Sequence, residues 1–149
     1  MKQLNSKTKT PLIIIGAGRH GRNILDVCSD LDILVIGFLD DTKQVGDKIN
    51  EVSVLGGIDK WRDLATDSDC QFIVGIGWNK ARCEISAQIE AGGGTLATVI
   101  HPSCQISRFS TIGSGVFISA FSRIMANGVV KRFCSIEGHS ENAGVIIPY

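Results

Sequence analysis

The 149-residue sequence has no excess of either charge: fifteen Lys and Arg stand against fifteen Asp and Glu, and neither sign forms a block. That absence removes the electrostatic footprint that a nucleic-acid or anionic-membrane partner requires, and points to a small molecule or another protein. Five cysteines, at 28, 70, 83, 104 and 134, contain no CxxC pair and no zinc-ligand spacing, so no metal site is expected. The N-terminus MKQLNSKTKT lacks the apolar run of a signal peptide and no segment reaches membrane-spanning length, which predicts a cytoplasmic protein with no membrane insertion. Only three prolines interrupt the chain, and its 44% hydrophobic and 20% charged content describe one compact globular unit, or two small ones, able to bury a core.

What is present is an alternation. PLIIIGAG is an unbroken apolar run ending in glycine, as expected of a strand buried on both faces of a parallel sheet. Residues 19 to 31 place Ile24, Leu25, Val27, Cys28 and Leu31 at helical spacing, and ILVIGFLDD follows as a second strand. A weaker strand at EVSVLGG, a short helix near IDKWRDLA, a strand at QFIVGIG, a helix from Lys80 to Ala91 and a last strand at TLATVI continue the pattern. Residues 11–100 therefore read as a small Rossmann-like α/β domain after a flexible N-terminus over 1–10.

The first strand-to-helix turn carries Gly16-Ala17-Gly18-Arg19-His20-Gly21, a GxGxxG motif. Gly16 permits the tight turn, Gly18 lets backbone approach a phosphate, and Gly21 lets helix and strand pack closely, while free N–H groups at the helix start attract the anion. Asp40 and Asp41 end the second strand, where an acidic side chain meets the ribose of NAD, meets a uridine, or caps a turn. GIGWN, residues 75 to 79, closes another strand beside the same crevice, and Trp78 there either stacks on a base or covers the core.

A different period begins at residue 104. Ile106, Ile112, Ile118, Ile124, Val130 and Ile136 recur every six residues, and the positions two before them are mostly small: Cys104, Ser110, Val116, Ser122, Gly128 and Cys134. Neither helix nor strand has that period. A left-handed parallel β-helix does, with three short faces per coil and one aliphatic turned inward from each. Six hexads predict about two coils over residues 101–137, entered through His101-Pro102-Ser103.

Taken together, IIIGAGRHGRNILDV, GFLDD, VLGG, FIVGIGWNKAR and ATVIHPSCQIS running into hexads resemble the sugar O-acyltransferases, the sialic acid and bacillosamine O- or N-acetyltransferases. That resemblance covers residues 11 to about 137 and implies an N-terminal nucleotide-sugar-binding domain joined to a hexapeptide-repeat β-helix. It implies that Gly16, Ala17, Gly18, His20, Asp40, Asp41, Gly77 and Asn79, with Gly21 in the same loop, lie at or near a UDP-sugar, a UDP-amino sugar in particular; that acetyl-CoA is the co-substrate; and that three chains form a homotrimer. Phe109, Phe117, Phe121 and Phe133, turned away from the aliphatic interior, are the residues expected to bury that contact, some of them resting instead on the α/β domain.

The family carries a catalytic histidine flanked by acidic residues just beyond the hexads. Here IEGHSENAG offers His139 as the base, with Glu137 or Glu141 to orient it. The aliphatic period stops at Gly138, Asn142 stands where the next aliphatic belongs, and Val145, Ile146 and Ile147 are out of phase. The expectation is a β-helix cut off before the acetyl-CoA site, an irregular tail over 138–149, and poor acetyl transfer. Two other readings remain: a non-catalytic module that binds a nucleotide sugar, and an NAD-binding regulatory domain that explains the glycine loop but not the hexads.

Overall fold

The computed structural model describes residues 10–142 and 144–148, so most of the N-terminus expected to be flexible lies outside the described residues. Strand β1 (Leu12–Ile15) is buried along its whole length. It lies between β2 (Val35–Leu39) and β5 (Gln71–Val74), parallel to both. The sheet continues outward through β4 (Val52–Gly56) on one side and β6 (Thr95–Leu96) on the other, with the short β3 (Lys48–Ile49) pairing antiparallel at the edge.

The two-residue period of β1 explains its double burial. Leu12 and Ile14 enter one core with Ile24, Val27 and Cys28 of helix α1 (Arg19–Asp30). Ile13 and Ile15 enter the other, with Trp61 of α2 (Trp61–Asp67) and Ile89 of α3 (Asn79–Ala91). Helices thus cover both faces, which is why the strand is apolar without alternation. Burial also pushes the Cys28 thiol up to about 12, leaving an inert core residue.

The expected last strand, TLATVI, is two strands in two sheets. Ala97 N–H still bonds Phe72 O at 2.8 Å, but Val99 N–H bonds Val116 O at 2.9 Å. Strand β7 (Val99–Ile100) therefore opens the second unit rather than closing the first, and the boundary drawn after residue 100 moves back to about 98. The sequence conceals the break because Leu96 and Ala97 before it and Val99 and Ile100 after it are apolar, with only the β-branched, exposed Thr98 between them.

The second unit comprises β7, β8 (Gln105–Ile106), β9 (Thr111–Ile112), β10 (Phe117–Ile118), β11 (Arg123–Ile124), β12 (Val129–Val130), β13 (Ser135–Ile136), β14 (Glu141–Asn142) and β15 (Val145–Ile146). They form three parallel three-stranded sheets, β7-β10-β13, β8-β11-β14 and β9-β12-β15, the arrangement of a left-handed parallel β-helix. Its interior holds Val116, Ile118, Ile124, Val130, Cys134 and Ile136.

Two expectations are corrected here. The β-helix has three coils rather than two, because β7 supplies a strand before the first hexad and β14 and β15 add two after the last. The segment expected to be irregular over 138–149 continues the β-helix: Glu141 and Asn142 pair with Arg123 and Ile124, and Val145 and Ile146 pair with Val129 and Val130. The backbone ladder persists although Asn142 takes an aliphatic's place, with its Nδ2 buried and unpartnered among the described residues. β15 arrives early because the last corner is short. Positive φ recurs at Gly115, Phe121, Asn127, Phe133 and His139, one left-handed corner per hexad, and then at Gly144 after only five residues.

The two units are fastened by named side chains. Phe117 joins the α1-side core, His101 Nε2 bonds Asp30 Oδ2 at 3.0 Å, and Glu90 of α3 accepts from Ser114 Oγ at 2.8 Å and Arg132 Nη1 at 3.0 Å. Of the four phenylalanines expected on an outer face, Phe117 and Phe133 are buried within the chain, whereas Phe109 and Phe121 are 62% and 63% exposed.

This division sets the first prediction. Ile124→Ala, inside the β-helix, should cost about 2 to 5 kcal/mol in urea denaturation, whereas Val45→Ala, on an exposed loop of the first unit, should stay within about 0.5 kcal/mol. Equal costs would show that the hexad aliphatics do not form the core described.

Candidate functional site

A cleft of about 540 Å³ opens at the C-terminal ends of β1 and β5, lined by Gly16, Gly18, Arg19, His20, Asn23, Asp40, Gly75, Ile76, Gly77 and Glu137. From β1 the chain runs out to β2 and β4, then returns to β5 on the other side. The cleft therefore stands where the strand order reverses, the place at which open α/β sheets bind ligands.

Three glycines fix its floor. Gly16 has φ +99°, a left-handed conformation, and a Cβ there would lie 2.7 Å from Gly75 O. A Cβ on Gly21 would run into Gly16 O, and one on Gly75 would lie 2.7 Å from Gly21 Cα. Gly18 is different: it has ordinary extended dihedrals and nothing within 4 Å of its notional Cβ. No neighbour in the chain requires glycine there, so the free space belongs to whatever approaches the start of α1. That helix has no side-chain cap and no acidic residue in its first turn, which leaves its N–H groups and partial positive charge directed at the cleft.

Asp40 organises the turn. Its Oδ2 accepts Ala17 N–H at 2.8 Å, and its Oδ1 accepts the N–H and hydroxyl of Thr42 at 2.8 and 2.7 Å. Burial alone would raise its pKa, but these hydrogen bonds prevail and hold the carboxyl below its ordinary value. Asp41 turns elsewhere, its Oδ1 accepting Ile58 N–H at 2.7 Å at the start of a short 3-10 turn, Ile58–Lys60. The two adjacent aspartates thus divide the alternatives that their spacing left open: one faces the cleft and the other caps a turn.

The wall opposite is formed by the β-helix. His20 Nδ1 lies 3.1 Å from Glu137 Oε1 and its Nε2 lies 3.1 Å from Ser135 Oγ, while its ring meets Phe117 edge-on at 5.5 Å. The network assigns Nδ1–H as donor to the carboxylate and Nε2 as acceptor of the serine hydroxyl. Burial lowers the His20 pKa from its ordinary 6.5; Glu137 opposes this, and Arg82 and Arg19 reinforce it. A neutral imidazole thus holds Glu137 at the cleft's edge.

Not every expected residue gathers here. Ala17 contributes its N–H from beneath, and Asn79 lies behind the wall with Oδ1 on Arg82 Nη2 at 2.6 Å. His139 is exposed at a β-helix corner, stacked on Phe121 at 5.2 Å, and Glu141 is exposed on β14. Trp78 does not cover the core: it is 69% exposed at the start of α3. Arg19, Gly75 and Ile76 enter the sequence reading only as members of GxGxxG and GIGWN, and Asn23 and Ser135 are not singled out there. Asn23 follows Arg19 by one helical turn and was within reach of periodicity, whereas Ser135 reaches His20 only through the register of the third coil.

Among the described residues no helix is long and apolar enough to cross a membrane, and no cluster of His, Cys, Asp and Glu could hold a metal ion. The family profile of the PglD N-terminal domain matches residues 11–89. A mutant of perosamine N-acetyltransferase from Caulobacter crescentus, solved with CoA and GDP-perosamine, superposes with TM-score 0.78 at 25% identity over 91% of this chain and 62% of that one. The acetyltransferase domain of PglB from Neisseria gonorrhoeae, solved with acetyl coenzyme A, superposes with TM-score 0.77 at 26% identity over 89% of this chain and 67% of that one. WeeI from Acinetobacter baumannii, at 20% identity and TM-score 0.76, shares the fold. The chain thus spans 62% of the length of the perosamine enzyme. No curated protein sequence matches it.

Two predictions follow from the site. Gly18→Val, which replaces a good N-cap residue with a poor one, should cost no more than about 1 kcal/mol while closing the space over the start of α1 to any phosphate-bearing ligand, whereas Gly21→Ala should cost about 1 to 3 kcal/mol or more through overpacking; calorimetry of both variants separates the roles. A histidine whose folded pKa is lowered contributes stability that is complete above its unfolded value and declines as pH falls below 6.5. Urea midpoints should fall over that interval, and His20→Gln should flatten the curve there.

Proposed function

This chain belongs to the PglD N-terminal domain family, and from that premise we propose that its cleft binds a nucleotide-diphosphate-linked amino sugar, in the UDP form, as the acceptor of an acetyl group from acetyl-CoA. The observation that carries this reading is the free space over Gly18 at the start of α1, in the same cleft as the His20–Glu137 pair. The neighbours solved with CoA and GDP-perosamine and with acetyl coenzyme A support both the acceptor class and the acyl donor.

In this reading the diphosphate meets the α1 N–H groups and Arg19, and the nucleoside lies toward the acceptor capacity left on Asp40. The sugar's amine is directed to Glu137, which hydrogen-bonds it and takes its proton as nitrogen attacks the thioester carbonyl. A C–N bond forms, the C–S bond breaks, and the thiolate leaves to collect a proton. His20, held by Ser135, keeps the carboxylate in place. Exposed Phe109, Phe121 and Met125 on the β-helix are the surface through which a homotrimer would pack.

A second reading, a module that binds the nucleotide sugar without acyl transfer, is favoured by the placement of His139, the base implied by the family resemblance, on Phe121 outside the cleft.

Calorimetry with a UDP-linked amino sugar, a GDP-linked amino sugar and NAD tests the ligand. Binding of the UDP form is expected; binding of NAD alone overturns the proposal, and preference for the GDP form corrects the base. Thiol release from acetyl-CoA tests the chemistry: Glu137→Gln should slow turnover by about 10²- to 10⁴-fold with binding retained, and His139→Ala should change it little. Loss of turnover only in His139→Ala would move the base there, and binding without any thiol release would establish the second reading.

A further inference from the structure

The cleft wall at Ile76 and Gly77 is held from behind by one side chain. Arg82, on the first turn of α3, is only 3% exposed. Its Nε donates to Phe133 O at 2.9 Å, its Nη1 to Ile76 O at 3.1 Å and Gly77 O at 3.3 Å, and its Nη2 to Asn79 Oδ1 at 2.6 Å. Every acceptor is a neutral carbonyl oxygen. None of the ion pairs among the described residues includes Arg82, so a buried cation is solvated by dipoles and its charge is not cancelled locally.

Two features make this arrangement more than a packing contact. First, because C=O and the following N–H point oppositely across a trans peptide, drawing the Ile76 and Gly77 carbonyls onto the guanidinium turns the N–H groups of Gly77 and Trp78 away from it, on the side where Gly77 lines the cleft. Second, a structural link between these three segments needs only neutral donors, whereas the chain spends the desolvation of a full charge at this point. A charge placed there acts on the cleft: Arg82 is among the groups that hold the His20 pKa down, and Glu137 acts in turn on Arg82.

We infer that Arg82 is a positioning residue for the ligand's diphosphate: it sets the Ile76–Gly77 wall against the β-helix corner at Phe133 and supplies the positive charge that the phosphates meet across that wall. This rests on the nucleotide reading of the cleft. It also gives the third coil a part in binding, since the Phe133 carbonyl completes the guanidinium's ring of acceptors.

The test separates charge from scaffolding by comparing ligands that differ only in phosphate. Titration calorimetry of UDP and uridine, with GDP and guanosine in parallel, is run on the wild type, Arg82→Lys and Arg82→Met. A charge acting across the Ile76–Gly77 wall at an intermediate dielectric predicts that Arg82→Met weakens UDP about ten- to thirtyfold while uridine changes by less than about threefold, and that Arg82→Lys restores most of the difference. Equal weakening of UDP and uridine would make Arg82 a structural residue only, and an unchanged UDP affinity would overturn the inference outright. If Arg82→Met does not fold, the wild type still decides: the Arg82 Nε–H resonance should shift on addition of UDP and not of uridine, and no shift with UDP bound refutes the proposal. A wild type that binds neither UDP nor GDP removes the nucleotide reading, and this inference with it; a wild type that binds UDP beside an Arg82→Met of equal UDP-to-uridine ratio removes this inference alone.

Discussion

Everything in the cleft depends on how closely α1 approaches the ends of β1 and β5. Gly16, Gly21 and Gly75 meet there backbone to backbone, with no space for a Cβ on any of them. That contact sets the height and tilt of α1. It fixes where the helix's N–H groups point, and it brings His20 onto Phe117, the β-helix residue that enters the α1-side core. A larger residue at one of these positions would displace the helix and with it the β-helix seat. The glycine turn and the joint between the two units are therefore consequences of one packing constraint.

The electrostatics are built on that frame with few charges. Asp40 is held ionised by hydrogen bonds from Ala17 and Thr42, His20 is held neutral by burial, and Arg82 is buried among carbonyls. A buried guanidinium without a carboxylate is unfavourable unless its donors are satisfied, and four oxygens from three segments do so here. Because those acceptors come from the cleft wall, the start of α3 and the β-helix, removing any one segment leaves the cation worse solvated. The charge thereby couples the cleft wall, the start of α3 and the β-helix.

Periods and turn chemistry were legible in the sequence because each reflects a local rule. The GxGxxG turn, the doubly buried β1 and the six-residue aliphatic repeat all follow from residues near one another in the chain. The third coil was not legible, because β14 and β15 are held by backbone ladders to β11 and β12 that persist where Asn142 replaces an aliphatic. The left-handed corners were hidden as well. Phe121, Phe133 and His139 occupy conformations that usually favour glycine or asparagine, so composition gave no sign of them. In the candidate site, adjacency misled: Asp40 and Asp41 were indistinguishable until β4 brought Ile58 within reach of one of them. Arg82 carried no signal, since its acceptors lie at 76, 77, 79 and 133 and only the fold brings the last to the others.

The register of the β-helix reaches the chemistry of the cleft through β13. Ile136 points inward, so Ser135 on one side of it points outward, toward α1, and bonds His20. Glu137 follows Ile136 and also leaves the interior, which sets its carboxylate against the other nitrogen of the same ring. A slip of one residue would turn Ile136 toward His20 and send both polar groups into an aliphatic core, where neither finds a partner. The hexad aliphatics therefore do more than stabilise the coils. Through the pairing of Phe117 with Ser135 and Ile118 with Ile136, they determine that a hydroxyl and a carboxylate, two residues apart, arrive together on the histidine of the glycine turn.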